Sequence, residues 1–219
     1  MENSNHSLTK KDLETLNSYI HVAEATADFW GDCCEVVVHN LENLDHSVMF
    51  ILNGHLSNRQ AGAAISDVTL SFLNRMISEP DLHHLYYFAK NNNGESFKAS
   101  MCAIYGENKN IIGLFCMNLY MSTPISAFVR CMVPEENAKQ ESLSENFVED
   151  TKELMLTALE DAKKAVYSNL SILPSNKNKE IVALLHQKGI FNLKDSVITI
   201  AEQLGISKNT VYMHIRNLK

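Results

Sequence analysis

The chain has 219 residues, 45% of them hydrophobic, and a formal net charge of −7. That apolar fraction is ample for a packed core and excludes a disordered polyelectrolyte. An acidic total argues against nucleic-acid binding only if the charge is evenly spread. It is not: Ser175 to Lys219 carries seven Lys or Arg and three acids, a net +4, which leaves −11 on the remainder.

Five cysteines (Cys33, Cys34, Cys102, Cys116 and Cys131) are odd in number and lack zinc-site spacing. The N-terminal stretch MENSNHSLTKKDLETL contains no apolar signal segment. The longest apolar run, IIGLFCMNLYM from Ile111, is too short for a bilayer span. These features predict a cytoplasmic protein with reduced thiols and no membrane partner.

In chain order, the polar residues 1–9 are expected to be unstructured. Leu13, Leu16, Ile20, Ala23 and Ala27 recur at helical spacing, predicting a helix from Lys11 to Trp30. CEVVVHNL (Cys34–Leu41) and HSVMFIL (His46–Leu52) read as a hairpin. Asn53–Ala64 is a loop by composition. Ile65–Met76 has helical spacing, with Ser66 or Asp67 near its cap. Three strands follow, HHLYYFAK, ESFKASMCAIY and IIGLFCMNLYM, separated by turns, and then a short helix over Ile125–Met132. This order is α+β, with a largely antiparallel, PAS-like sheet and flanking helices.

A polar linker runs from Pro134 to Asn146, where Ser142 and Glu145 have the spacing of a capping box. The helix after it places Phe147, Thr151, Leu154, Met155, Ala158, Ala162 and Ala165 on one face. At about seven turns it is a long connector. Its apolar face needs a cover, either its own domain or a second copy in a homodimer. The resulting domain map is a PAS-like domain over 11–134, linker and connector helix over 135–174, and an all-α module over 175–219.

That module fits three short helices: Lys177–Lys188 stopped by Gly189, Asp195–Leu204, and one capped by Ser207. Ala201, Gly205 and Ile206 supply the small contact residue, the left-handed turn and the plug of a helix-turn-helix. With Val211, Ile215 and Leu218 inward, the third helix presents Asn209, Tyr212, Met213 and Arg216 outward, with Lys208 and Thr210 placed for phosphates. Asn209 and Arg216 have the donors that read base edges. Double-stranded DNA is the expected partner. The alternative is a three-helix bundle used for protein contacts.

The pattern from residue 12 onward resembles the YheO-like family of bacterial transcriptional regulators. The segments that carry the resemblance are CEVVVHNL, NGHLSNRQAGAAISDVTL, FKAS, IIGLFCMN and the stretch from Asn176 to Lys219. It implies a dimeric DNA-binding regulator whose PAS-like domain reads a small metabolite. Asn53, Gly54, His55, Arg59, Gly62 and Asp67 match the family pattern, whereas Ala64 stands where proline is usual and Asn58 where glycine is usual.

Candidate ligand contacts for a small polar metabolite are His39, Asn53, His55, Arg59, Asp67, Cys116 and Asn118, with Lys98 and Ser100 nearby. Arg59 suits a carboxylate, although Asp67 could neutralise it instead. His39, Cys116 and Asn118 each have a purely structural reading as well. No histidine stands out as a haem ligand, so no cofactor is expected. The vicinal Cys33–Cys34 pair would close a strained ring and has no Lys or Arg close by. No nucleophile motif or phosphate loop is visible, so an enzyme is not expected. The reading opposed to a ligand-responsive regulator is a small-molecule-binding protein or enzyme whose C-terminal bundle contacts protein.

Overall fold

The computed structural model describes residues 7–133 and 150–218. The chain divides into two compact units, 1–138 and 139–219. Among the described residues no helix is long and apolar enough to cross a membrane.

The N-terminal unit opens with α1 (Lys10–Trp30). Thr9 and Asp12 form a reciprocal capping box, each side chain accepting from the other's backbone N–H at 3.1 Å. Asp12 Oδ1 also accepts the Glu107 N–H at 2.9 Å, which ties the start of the helix to a distant turn. These backbone hydrogen bonds hold the Asp12 carboxyl below its usual range. Strands β1 (Cys34–Asn40) and β2 (Val48–Leu52) form the expected hairpin. Then come α2 (Asp67–Ser78), capped by Ser66, and strands β3 (His84–Lys90), β4 (Ser96–Tyr105) and β5 (Ile111–Tyr120). Helix α3 spans Ile125–Met132. The sheet is antiparallel throughout, in the order β2-β1-β5-β4-β3.

Alternation along the strands makes two cores. One face (Val36, Val38, Ile104, Phe115) packs on Leu16, Ala23 and Ala27 of α1. The other (Val37, Met101, Ala103, Leu114, Cys116) packs on Leu73 and Met76 of α2. Gly113 lets α1 approach the sheet, since a Cβ there would collide with the His39 carbonyl and Leu16.

The C-terminal unit comprises α4 (Thr151–Ser168), α5 (Lys177–Gln187), α6 (Ser196–Leu204) and α7 (Lys208–Arg216). The expected linker, its capping box at Ser142 and Glu145, and Phe147 lie outside the described residues. The described helix is capped by Asp150, whose side chain accepts from Glu153 N at 2.7 Å. Its apolar stripe is Met155, Ala158, Leu159, Ala162 and Val166, with Ala165 exposed. This corrects the expected face: it is rotated toward the bulkier Leu159 and Val166. The stripe is not left for a second copy either. It packs on Ile181, Leu185, Ile190 and Ile200 of its own chain, so α4 belongs to the C-terminal core.

Candidate functional site

Two features of this architecture present chemistry. The first is the pair α6–α7. Gly205 ends α6 at φ 65°, in the left-handed region that glycine adopts without strain. The Ile206 N–H returns to the Ala201 carbonyl at 3.0 Å, and Ile206 packs beside Val182, Ala201 and Val211. Ala201 is almost fully buried there, so a longer side chain would force the helices apart. Ser207 caps α7 by accepting the Thr210 N–H at 3.1 Å. Val211 is fully buried, and Ile215 flanks it in the core. The opposite face leaves Lys208, Asn209, Tyr212, Met213 and Arg216 exposed, and Asn209, Tyr212, Ile215 and Arg216 line a shallow concavity. One expectation changes. Leu218 is exposed rather than inward, because it lies past the end of α7. Thr210 Oγ1 lies 2.8 Å from Ser207 Oγ, at the start of the helix.

The second feature is a cavity of about 580 Å³ in the N-terminal unit, within the range of small-molecule sites. Its floor is the α2-side face of β1 and β5. The register sets Glu35 opposite Asn118 and Val37 opposite Cys116, and His39 lies on the same face two residues on. Ser57, Asn58 and Arg59 come from the loop after β2; Ser66–Thr69 from the start of α2; and Tyr87 and Ala89–Asn93 from β3 and its turn. Glu35 is fully buried. Its Oε1 accepts from Asn118 Nδ2 at 2.7 Å, and its Oε2 accepts from the Ser57 hydroxyl. His39 Nδ1 lies 2.9 Å from Ser47 Oγ. Burial, aided by the Arg59 charge, pushes the His39 pKa down to about 4 and keeps the ring neutral. Burial pushes the Cys116 thiol and the Tyr87 and Tyr120 phenols up to about 12.

Residues 9–134 match the YheO-like PAS domain, and residues 154–216 match an HTH domain. The chain belongs to the YheO-like family. It is 36% identical to an uncharacterized protein of Haemophilus influenzae, over 99% of this chain and 97% of that one. It is 34% identical to the uncharacterized protein YheO of Escherichia coli, over 95% of this chain and 86% of the relative. A more distant relative, the transcriptional regulator DauR of Pseudomonas aeruginosa, shares 24% identity over 94% of this chain and 95% of its own.

In this YheO-like chain, His39, Arg59, Asp67, Cys116 and Asn118 all line the one cavity. Asn53 and His55 do not. Asn53 sits at φ 56° and donates through Nδ2 to the Gly31 and Cys34 carbonyls, at 3.0 and 2.8 Å. It therefore fastens the loop to the end of α1, and His55 is exposed on that loop. Lys98 is exposed over the Tyr86 ring, and neither Lys98 nor Ser100 lines the cavity. Asp67 forms no ion pair with Arg59; its Oδ1 accepts the Val68 N–H. Cys34 is buried, and its thiol is pushed up to about 12, mainly by desolvation, which fits no reactive role. Sequence reasoning missed Glu35, Ser57, Tyr87 and Tyr120. Glu35 carried a usable signal: a carboxylate inside the apolar run Cys34–Val38 and in step with Val37 and His39 must either be solvated or line a polar void.

Proposed function

We propose that the protein is a DNA-binding transcriptional regulator. Its helix-turn-helix reads double-stranded DNA, and its PAS-like domain takes up a small polar metabolite. The observation that carries this reading is the polarity of α7. Val211 anchors one side with no exposure, while Asn209, Tyr212, Met213 and Arg216 stand free on the other. A bundle used only for protein contact needs neither that face nor a net +4 over residues 175–219 of an acidic chain. The DauR relative, named as a transcriptional regulator, supports the same class. The reading includes cytoplasmic action as a homodimer, because a nine-residue helix spans few base pairs and two-fold operators pair two such helices.

The test is selection from a random-sequence duplex pool by the full chain, followed by affinity measurements across salt concentrations. An enriched sequence and a steep loss of affinity with salt are expected. Equal affinity of wild type and the Asn209→Ala, Arg216→Ala double variant for the enriched sequence would remove α7 as the reader. The sensor half is tested separately, by a thermal-shift screen of polar metabolites on the full chain. If no compound stabilises the protein, that half falls.

A further inference from the structure

The cavity holds two charges of opposite sign that do not neutralise each other. Glu35 is fully buried, and its hydrogen-bond partners, Ser57 and Asn118, are both neutral. Arg59 is half-buried, and its Nη2 donates to the Ala64 carbonyl at 2.9 Å. Among the described residues neither belongs to an ion pair. Both nevertheless line the same cavity, together with Cys116 and Tyr120, so they face one shared space. The remaining charged groups of the lining, Asp67 and Lys90, are exposed and hydrated by solvent.

A buried carboxylate without a cation is costly, and a compact core would not keep one beside an unpaired guanidinium for packing alone. We propose that the cavity binds a small zwitterion, an amino-acid-like molecule whose cationic group meets Glu35 and whose carboxylate meets Arg59. A ligand that is only an anion would face Glu35 uncompensated. One that is only a cation would leave Arg59 unanswered. A zwitterion satisfies both and is itself neutral overall, so the site takes it up without a net buried charge. The planar donor fork of Arg59 suits a carboxylate bidentately. Asn118 and Ser57 hold the Glu35 oxygens in place for the opposite end. This rests on the cavity being the ligand site of the reading above.

The experiment is a thermal-shift and calorimetric panel on the full chain. It contains α- and ω-amino acids, both enantiomers where chiral. Each stands beside the amine lacking its carboxylate and the acid lacking its amino group, with neutral polyols added. At least one zwitterion should stabilise the protein while its matched amine and acid do not. Glu35→Gln and Arg59→Gln should each weaken that zwitterion about 10- to 100-fold. In Glu35→Gln, removing the ligand's amino group should cost nothing further, which a merely structural Glu35 would not produce. The wild-type panel needs no variant to fold. An acid that binds wild type as well as its zwitterion overturns the proposal, as does a panel in which only polyols or single-charge ligands bind, and in both cases the sensor reading survives. If no metabolite of any class binds, both fall.

Discussion

The two units keep their polar groups in opposite places. Six polar or charged side chains are buried among the described residues; Asp12, Glu35, His39, Ser47 and Thr69 lie in the N-terminal unit, and Ser196 alone in the C-terminal one. The C-terminal core is aliphatic around Leu159, Ile181, Leu185 and Ile200, and its chemistry is displayed outside, on α7. The N-terminal unit seals one face of its sheet with α1 and leaves charge and hydrogen-bonding groups inside the other. A surface reader can sit on a core optimised for packing. A recessed site must be cut into the core, and the groups that serve it cost stability.

The largest expected effect tests whether the two units are energetically separate. Ile200 is fully buried in the C-terminal core, so Ile200→Ala should destabilise that unit by about 2–5 kcal/mol and abolish DNA binding. The single tryptophan, Trp30, lies at the end of α1 and reports on the N-terminal unit alone. Its fluorescence transition in denaturant should not move, while the helical circular-dichroism signal loses stability. A common shift of both signals would mean that the units melt as one.

The next effect belongs to the N-terminal unit only. The His39 pKa is lowered in the fold from 6.5 to about 4. The unfolded chain therefore binds the proton more readily, and stability falls as pH drops from about 6.5 toward 4. The loss should be roughly 2 kcal/mol at pH 5 and about 3 kcal/mol near pH 4. The Trp30 transition should show this slope, and His39→Gln, which keeps a partner for Ser47, should flatten it. An unchanged slope in that variant would assign the acid sensitivity to other groups. A smaller effect is expected on the outer face of α7. Arg216→Ala and Asn209→Ala should each weaken binding to a selected operator by about 1–3 kcal/mol, with both melting transitions in place. Unaltered affinity in both would mean that the reading face is set on other residues of α7.

How much of this was legible in the sequence follows the same division. The bounds of α3, the Ser66 and Ser207 caps and the Gly205 turn are decided within four or five residues, and local pattern finds them. The outer face of α7 follows from helical periodicity once Val211 is set inward. The cavity depends on register. Glu35 meets Asn118 across 83 positions of chain, and no local rule pairs them. Asn53 looked like a ligand contact because it is polar in a polar loop. Its partners, the carbonyls of Gly31 and Cys34, lie 22 and 19 residues back. The face of α4 was misjudged by a fraction of a turn, since Ala165 and Val166 are both apolar and only tertiary packing on α5 and α6 chooses between them.

The smallest effect is the most telling for the recessed site, because its expected sign is opposite to that of most substitutions. Glu35→Gln keeps the shape of the side chain and sheds its charge. The glutamine carbonyl can accept from Asn118 Nδ2 as Glu35 Oε1 does now. The Ser57 hydroxyl, a donor to Glu35 in this structure, can rotate to accept from the new amide, because a hydroxyl serves as either donor or acceptor. All the hydrogen bonds are then retained, and the desolvation of a buried carboxylate without a cation is relieved. Without ligand, the Trp30 transition should therefore move to higher denaturant, a gain of about 1 kcal/mol, while the C-terminal transition stays where it is. A core built for stability alone would lose, not gain, from the change. If Glu35→Gln melts earlier than wild type at neutral pH, Glu35 is a structural carboxylate, and the contrast between a displayed site and a recessed one loses its main support.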